Sequence, residues 1–252
     1  MNKQEPPGGI EWTRVYGRDG YTWNAVSGCQ HACRWKMPSG EIAICYAEDV
    51  AENSQAKAFY PEGFSHHYWN PKRLEEPLRI KKPSGIFLDS MADLMGHWVS
   101  DDEINQVLAV CEKAHWHIFQ LLTKNAPRLL KFHFPKNVWV GVSSPPDYFM
   151  GRELSQDQKE RMLYKSLSVL SYIGENIRWM SFEPLSWDVS SLVSQNKALD
   201  WSVIGAASNG RKKYQPDPEN VKKLHMVLDE QGVPVFHKGN LEWQPHREEF
   251  PS

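Results

Sequence analysis

Seven short β-rich runs, separated by longer and mostly helical stretches, limit the architectures open to this chain more than any other feature. The runs fall at residues 21–26, 85–90, 117–124, 137–143, 177–184, 200–206 and 233–238. Pro135 stands just upstream of the fourth run, where it cannot extend a helix into the strand. Asp101-Asp102-Glu103 opens a helix with acidic residues suited to the positive helix N-terminus, and that helix runs through Val107, Leu108 and Cys111. Helices are also expected over residues 156–172 and 218–231, the latter stopping at Gly232. Strands alternating with helices make a parallel sheet with covering helices. The expectation is an α/β fold: a single β/α barrel, complete or partly open, with its chemistry at the carboxyl ends of the strands.

A length of 252 residues is about what one such barrel needs. Residues 1–20 read as a polar lead-in and 21–252 as the barrel domain, with an insertion at 34–44. A net charge of −2 gives no overall pull toward nucleic acid. The stretch from Met1 to Pro7 lacks the apolar core of a signal peptide, and no apolar run reaches membrane-spanning length. A cytoplasmic protein with no membrane partner is therefore expected. The eleven tryptophans could line a pocket, but aromatic packing is the plainer reading.

Cysteine is used sparingly, and three of the four lie close together: Cys29, Cys33 and Cys45. The fourth, Cys111, sits in an apolar helical run and reads as a buried structural thiol. Clustered thiols in a reducing compartment suggest metal or redox chemistry more than disulfides. Three thiolates with no fourth partner nearby suit an iron–sulfur cluster held at three corners. The first gap is three residues and the second eleven, and Pro38-Ser39-Gly40 in the second is a turn signal that can fold the excursion back. A structural zinc site with His31 as fourth ligand is the competing reading.

Around these cysteines the chain reads Trp23-Asn24, then Gly28-Cys29-Gln30-His31-Ala32-Cys33, then Cys45-Tyr46-Ala47-Glu48. Further blocks follow: Pro71-Lys72-Arg73-Leu74, the stretch from Asp89 to Leu94, Leu122-Thr123-Lys124, Gly141-Val142-Ser143, Ser181-Phe182-Glu183-Pro184 and the stretch from Pro234 to Lys238. In this order the blocks resemble the phage Gp37/Gp68 family (DUF5131). These are three-cysteine, radical S-adenosylmethionine-like proteins related to the spore photoproduct lyase group. The resemblance implies a radical-enzyme barrel in which Cys29, Cys33 and Cys45 ligate a 4Fe–4S cluster. An external one-electron donor would reduce the cluster, and S-adenosylmethionine would be split to a 5′-deoxyadenosyl radical that modifies or repairs a substrate. A nucleic-acid base or nucleotide is the first substrate class it suggests. Such enzymes usually place the last two cysteines two residues apart, and the present chain departs from that.

If S-adenosylmethionine binds, strand-end polar groups should receive it. Asp89, Ser90 and Asp93 could take its amino group or ribose, or could instead serve as an N-cap and rim hydrogen bonds. Lys124 could pair with the cofactor carboxylate, and Thr123, Ser143 and Ser181 take corresponding places. Glu183 could hold a ribose hydroxyl or donate a proton, so Glu183 and Lys124 are the candidate catalytic residues. The turn from Gly205 to Gly210 offers backbone amides, and His237 and Lys238 could face a substrate phosphate. His66 and His67 point apart and read as surface residues. Arg73, Arg79, Lys81 and Lys82 beside Trp69 read as a solvated face before a nucleic-acid edge. Two rivals remain open: a zinc-braced hydrolase with Asp89 and Glu183 as paired carboxylates, and a non-catalytic module binding nucleic acid or protein.

Overall fold

All seven runs become strands of one parallel sheet in the computed structural model, which describes every residue except Pro7, Ser54, Gly210 and Arg211. The strands are β2 (Asp19–Trp23), β3 (Ser84–Leu88), β4 (Ile118–Thr123), β5 (Val138–Ser143), β6 (Arg178–Phe182), β7 (Trp201–Ile204) and β8 (Val235–His237), preceded at the edge by β1 (Asn2–Gln4). They lie side by side in chain order, β1 antiparallel to β2 and every later pair parallel. Among the described residues no ladder joins β8 back to β1, so the sheet is a curled half-barrel and not a closed ring.

Side-chain alternation sorts the strands into two faces. Ile86, Leu88, Phe119, Leu121, Val140, Val142, Met180 and Phe182 face outward into the main apolar core. Helix α1 (Tyr46–Asn53) buries Ala47 and Ala51 in a separate cluster with Tyr60 and Phe64, while α2 (Asp101–Lys113), α3 (Gln156–Ser171) and α4 (Pro218–Glu230) pack on the main core. Helices α2 and α3 start in capping boxes, Ser100 with Glu103 and Ser155 with Gln158, which satisfy two otherwise orphaned backbone donors each. The intervening strand residues Phe87, Trp139, Trp179, Trp201 and Phe236 face inward.

Trp12 joins these inner aromatics, its ring 5.2 Å from Trp179 and 6.3 Å from Trp201 between centroids. Gly141 makes room for the layer, since a Cβ there would sit 2.3 Å from the Trp179 ring. The segment expected as a lead-in is thus part of the fold. It adds β1 to the sheet, and Trp12 and Val15 fill the half-barrel, with Gln120 Nε2 donating to the Trp12 carbonyl at 3.0 Å. An open barrel leaves one side of its aromatic interior uncovered, and this segment covers it. Further inward positions toward the carboxyl ends of the strands, Leu122, Ser143 and Ser181, bound a cavity.

The expected first strand ends at Trp23, three residues early. Beyond Trp23 the Val26 N–H donates to Asp89 Oδ1 and Val26 pairs with Trp69 instead, while Asn24 Oδ1 accepts from Ser90 Oγ and the Met91 N–H. Two of the four basic residues beside Trp69, expected as a solvated face, make ion pairs. Arg73 binds Glu76 and Lys82 binds Asp19. No described helix is long and apolar enough to cross a membrane.

Candidate active site

The cysteine loop leaves β2 and is pinned along its backbone. Gly28 donates to the Met91 carbonyl at 2.9 Å and Cys29 to that of Phe64 at 2.8 Å. Gly28 has a φ of +87°, and a Cβ there would lie 1.7 Å from the His66 carbonyl oxygen, so glycine is required on both counts. His31 is buried between Phe149, stacked at 4.6 Å, and the edge of Trp98 at 4.9 Å. Its Nε2 donates to Asp93 Oδ2 at 2.8 Å.

The eleven-residue excursion is a β-hairpin, Arg34–Lys36 against Ile42–Ile44, turning through Gly40. Arg34 pairs directly with Ile44, so the flanking Cys33 and Cys45 are returned to one another. A two-pronged ion pair fixes this junction. Arg34 donates from both terminal nitrogens to Glu48, at 2.7 and 2.6 Å, and also to the Cys33 carbonyl at 2.8 Å. From the other side Asn209 clamps the Ile44 backbone, accepting from its N–H at 3.1 Å and donating to its carbonyl at 3.0 Å. The sequence reading missed Arg34, Glu48 and Asn209. The available signal was a charged pair at the two cysteine motifs, Arg34 just after Cys33 and Glu48 three residues after Cys45.

Cys29, Cys33 and Cys45 line one cavity of about 90 Å³ at the mouth of the half-barrel, together with Ser90, Asp93, Thr123, Lys124 and Ser143. Burial pushes the Cys33 thiol up to about 12, although Lys124 works against it, and burial lifts Cys29 well above its ordinary value. For Lys124, burial favours the neutral amine, but the cysteines and Asp93 outweigh it and hold the ammonium above its ordinary pKa. That ammonium sits 5.7 Å from the centre of the Trp35 ring.

Among the described residues no three His, Cys, Asp or Glu side chains converge at single-ion spacing. A single zinc draws its ligands to about 2.0–2.3 Å of one centre, whereas a cube takes each thiolate at a different iron, so its ligands surround a space. Cys29, Cys33 and Cys45 share one cavity without meeting at a single point, and His31, its Nε2 given to Asp93, keeps Nδ1 without a partner among the described residues.

A larger cavity of about 340 Å³ adjoins the first and shares Cys45, Tyr46, Phe87, Leu122, Lys124 and Ser143 with it. Ser181, Glu183 and Lys238 lie on its β6 to β8 side. Glu183 Oε1 binds Lys238 Nζ at 2.6 Å, and its Oε2 accepts from Ser181 Oγ at 3.1 Å. Burial works to lower the Lys238 pKa, but Glu183 and Glu11 hold it raised. Lys238 therefore faces a carboxylate. His237 lines neither cavity and bonds instead to His225 at 2.8 Å.

The other expected residues divide in the same way. Asp93 is saturated: besides His31 it accepts from Thr123 Oγ1 at 2.7 Å, the Lys124 N–H at 2.9 Å and the Met95 N–H at 3.0 Å. Burial raises its pKa, and these bonds more than offset that, leaving it lowered. It ties the cysteine loop to β4. Asp89, with φ +51°, lines neither cavity, so it does not face Glu183 across a site as a carboxylate pair would. Within the stretch from Gly205 to Gly210, Ala207–Asn209 is a strand paired with Lys212–Tyr214, and Gly210 lies outside the described residues.

Comparison with known proteins follows this geometry. The profile of a family described as "Protein of unknown function (DUF5131)" matches residues 8–250. No curated protein sequence matches. Among solved structures, a cysteine-to-serine variant of spore photoproduct lyase is similar at 10% identity, covering 90% of this chain and 78% of that one, with a TM-score of 0.53. A tyrosine-to-phenylalanine variant of the same protein gives 9% identity, 89% and 77% coverage, and 0.51. A radical SAM methyltransferase from Sphaerobacter thermophilus follows at 11% identity, 84% and 63% coverage and 0.46, too low to carry an argument. At these identities the likeness is one of fold.

Proposed function

The chain belongs to the DUF5131 family of proteins of unknown function, and on that footing we propose that it is a radical S-adenosylmethionine-like iron–sulfur enzyme acting on a nucleotide-like substrate. The observation that carries the reading is the set of three thiols around one cavity at the carboxyl-terminal mouth of a half-barrel shared with spore photoproduct lyase. Cys29, Cys33 and Cys45 would hold a 4Fe–4S cluster. When bound, that group supplies one electron to S-adenosylmethionine from an external donor, which starts hydrogen abstraction from a substrate.

The chain's own residues do the rest. The Arg34–Glu48 pair and the hairpin hold Cys33 and Cys45 at fixed separation in place of a short spacing. Lys124 sets a positive charge beside the thiolates and is free to meet a cofactor carboxylate. Ser90, Thr123 and Ser143 offer hydroxyls around the same cavity. Tyr46 packs over both cavities, its hydroxyl donating to the Ser90 carbonyl. The inner aromatic layer closes the bottom of the half-barrel against water. Glu183, hydrogen-bonded to Ser181 and paired with Lys238, is placed to hold or move a proton at its Oε1.

Anaerobic reconstitution with iron and sulfide tests the reading. The expected result is a brown protein whose broad absorption near ~400 nm is lost in Cys45→Ala, and which cleaves S-adenosylmethionine under dithionite. A colourless protein carrying one zinc overturns it.

A further inference from the structure

Most polar groups around the larger cavity are already matched to one another. Both oxygens of Glu183 are engaged, by Lys238 and Ser181. Asn240 donates to the Ala206 carbonyl and to Ser208 Oγ. Three lining residues stand apart. Glu11 Oε2 and Trp12 Nε1, from the N-terminal segment, and Trp35 Nε1, from the cysteine hairpin, are buried and make no hydrogen bond among the described residues. A buried carboxylate oxygen without a donor is a costly arrangement, and a ligand that supplies the donor relieves it.

These groups define what can fill the space. One open acceptor and two open indole donors call for a ligand that offers an N–H group together with lone pairs. Trp12, Trp35 and Phe87 give the cavity an aromatic lining. Aromatic faces with edge-reading polar groups are how unstacked bases are held. Phosphate is disfavoured at this end, because Lys238 is already neutralised by Glu183 and Glu11 adds a further negative charge. We propose that this cavity is a base-binding site in which Glu11 accepts from the exocyclic amino group of a cytosine-, adenine- or guanine-type ring. Carboxylates accept from such amines, as Glu and Asp do from cytosine N4. A keto oxygen in the same place would meet Glu11 lone pair to lone pair.

The assignment deepens the function proposed above and rests on it in taking this mouth as the reacting centre. The amino-bearing ring could be the substrate's base or the adenine of S-adenosylmethionine, and the two are separable. Cytidine, uridine, adenosine and S-adenosylmethionine are titrated into the full chain, with and without reconstituted iron and sulfide, following tryptophan fluorescence. Cytidine differs from uridine chiefly in carrying an amine where uridine carries a keto oxygen. Wild type is expected to bind cytidine at least ~10-fold more tightly than uridine, the scale of one hydrogen bond to a charged group. Glu11→Gln, whose amide both donates and accepts, should flatten that ratio toward one. Trp35→Phe keeps the ring face and the Glu11 carboxylate, so it should weaken cytidine binding while a preference over uridine remains, and a thermal midpoint of Glu11→Gln equal to that of wild type shows that this variant is folded.

If only S-adenosylmethionine binds, only with the cluster present and more weakly in Glu11→Gln, the base read is the cofactor's adenine and the substrate assignment falls. Equal affinities of wild type and Glu11→Gln for every probe overturn the proposal entirely. A brown, cofactor-cleaving protein with that outcome leaves the enzyme reading standing. A colourless protein that still prefers cytidine sinks the enzyme reading alone.

Discussion

Asp89 offers the sharpest thermodynamic test of how the cysteine loop is held. The residue is 2% exposed, one oxygen accepts from the Val26 N–H at 2.9 Å, and the other has no partner among the described residues. Burial pushes its carboxyl from an ordinary 3.8 up to about 8, with the Val26 amide and Arg73 only partly opposing. Between these two values the native protein holds a proton that the unfolded chain has released. A raised native pKa gives stability that is complete below the unfolded pKa and is lost as pH rises through the native one. The slope is about 1.4 kcal/mol per pH unit. Asp89→Asn stays neutral throughout, its amide oxygen can still accept from Val26, and asparagine tolerates the positive φ at this site. Urea unfolding of the metal-free, reduced wild type and variant at several pH values from 5 to 8 gives the difference directly. Across those three units wild type should lose up to about 4 kcal/mol relative to the variant. Parallel profiles would refute the argument, since they would mean that Asp89 is ionised and solvated in the native state.

Three further outcomes follow from the site. Cys29 and Cys33 are held protonated by burial, so metal loading must displace protons, and iron and sulfide uptake should rise as pH is raised from about 6.5 to about 8.5; loading independent of pH would contradict this. Glu48→Gln leaves Arg34 without its carboxylate and should lower unfolding stability by about 1–3 kcal/mol, with faster iron loss from the reconstituted protein to a chelator. Gly28→Ala should abolish loading and lower the thermal midpoint, because its Cβ meets the His66 carbonyl at 1.7 Å. Gly40→Ala is the control, having φ +82° but no neighbour within 4 Å, and should lose only about 1–2 kcal/mol to backbone strain.

Periodicity and punctuation were enough to find every parallel strand of the sheet and the three long helices. Those patterns are local: a strand buried on both faces reads as an apolar run, and a helix announces its ends through residues such as Asp101 and Gly232. The three thiols and the return of the excursion at Gly40 were equally legible, since spacing and turn chemistry lie within a few residues of each other. What the sequence could not carry was contact across distance. Only the folded chain lets Trp12 enter the half-barrel, turns Asp93 into a fully bonded tie between loop and β4, and sends Asp89 behind the cavity while Ser90 beside it lines the wall. Only there does Glu183 meet Lys238, fifty-five residues on, and Glu11 stand open beside them. Residue type and local spacing set which chemistry is available. Which groups remain unpaired, and so free to bind, follows from burial and partners that exist only once distant strands are side by side.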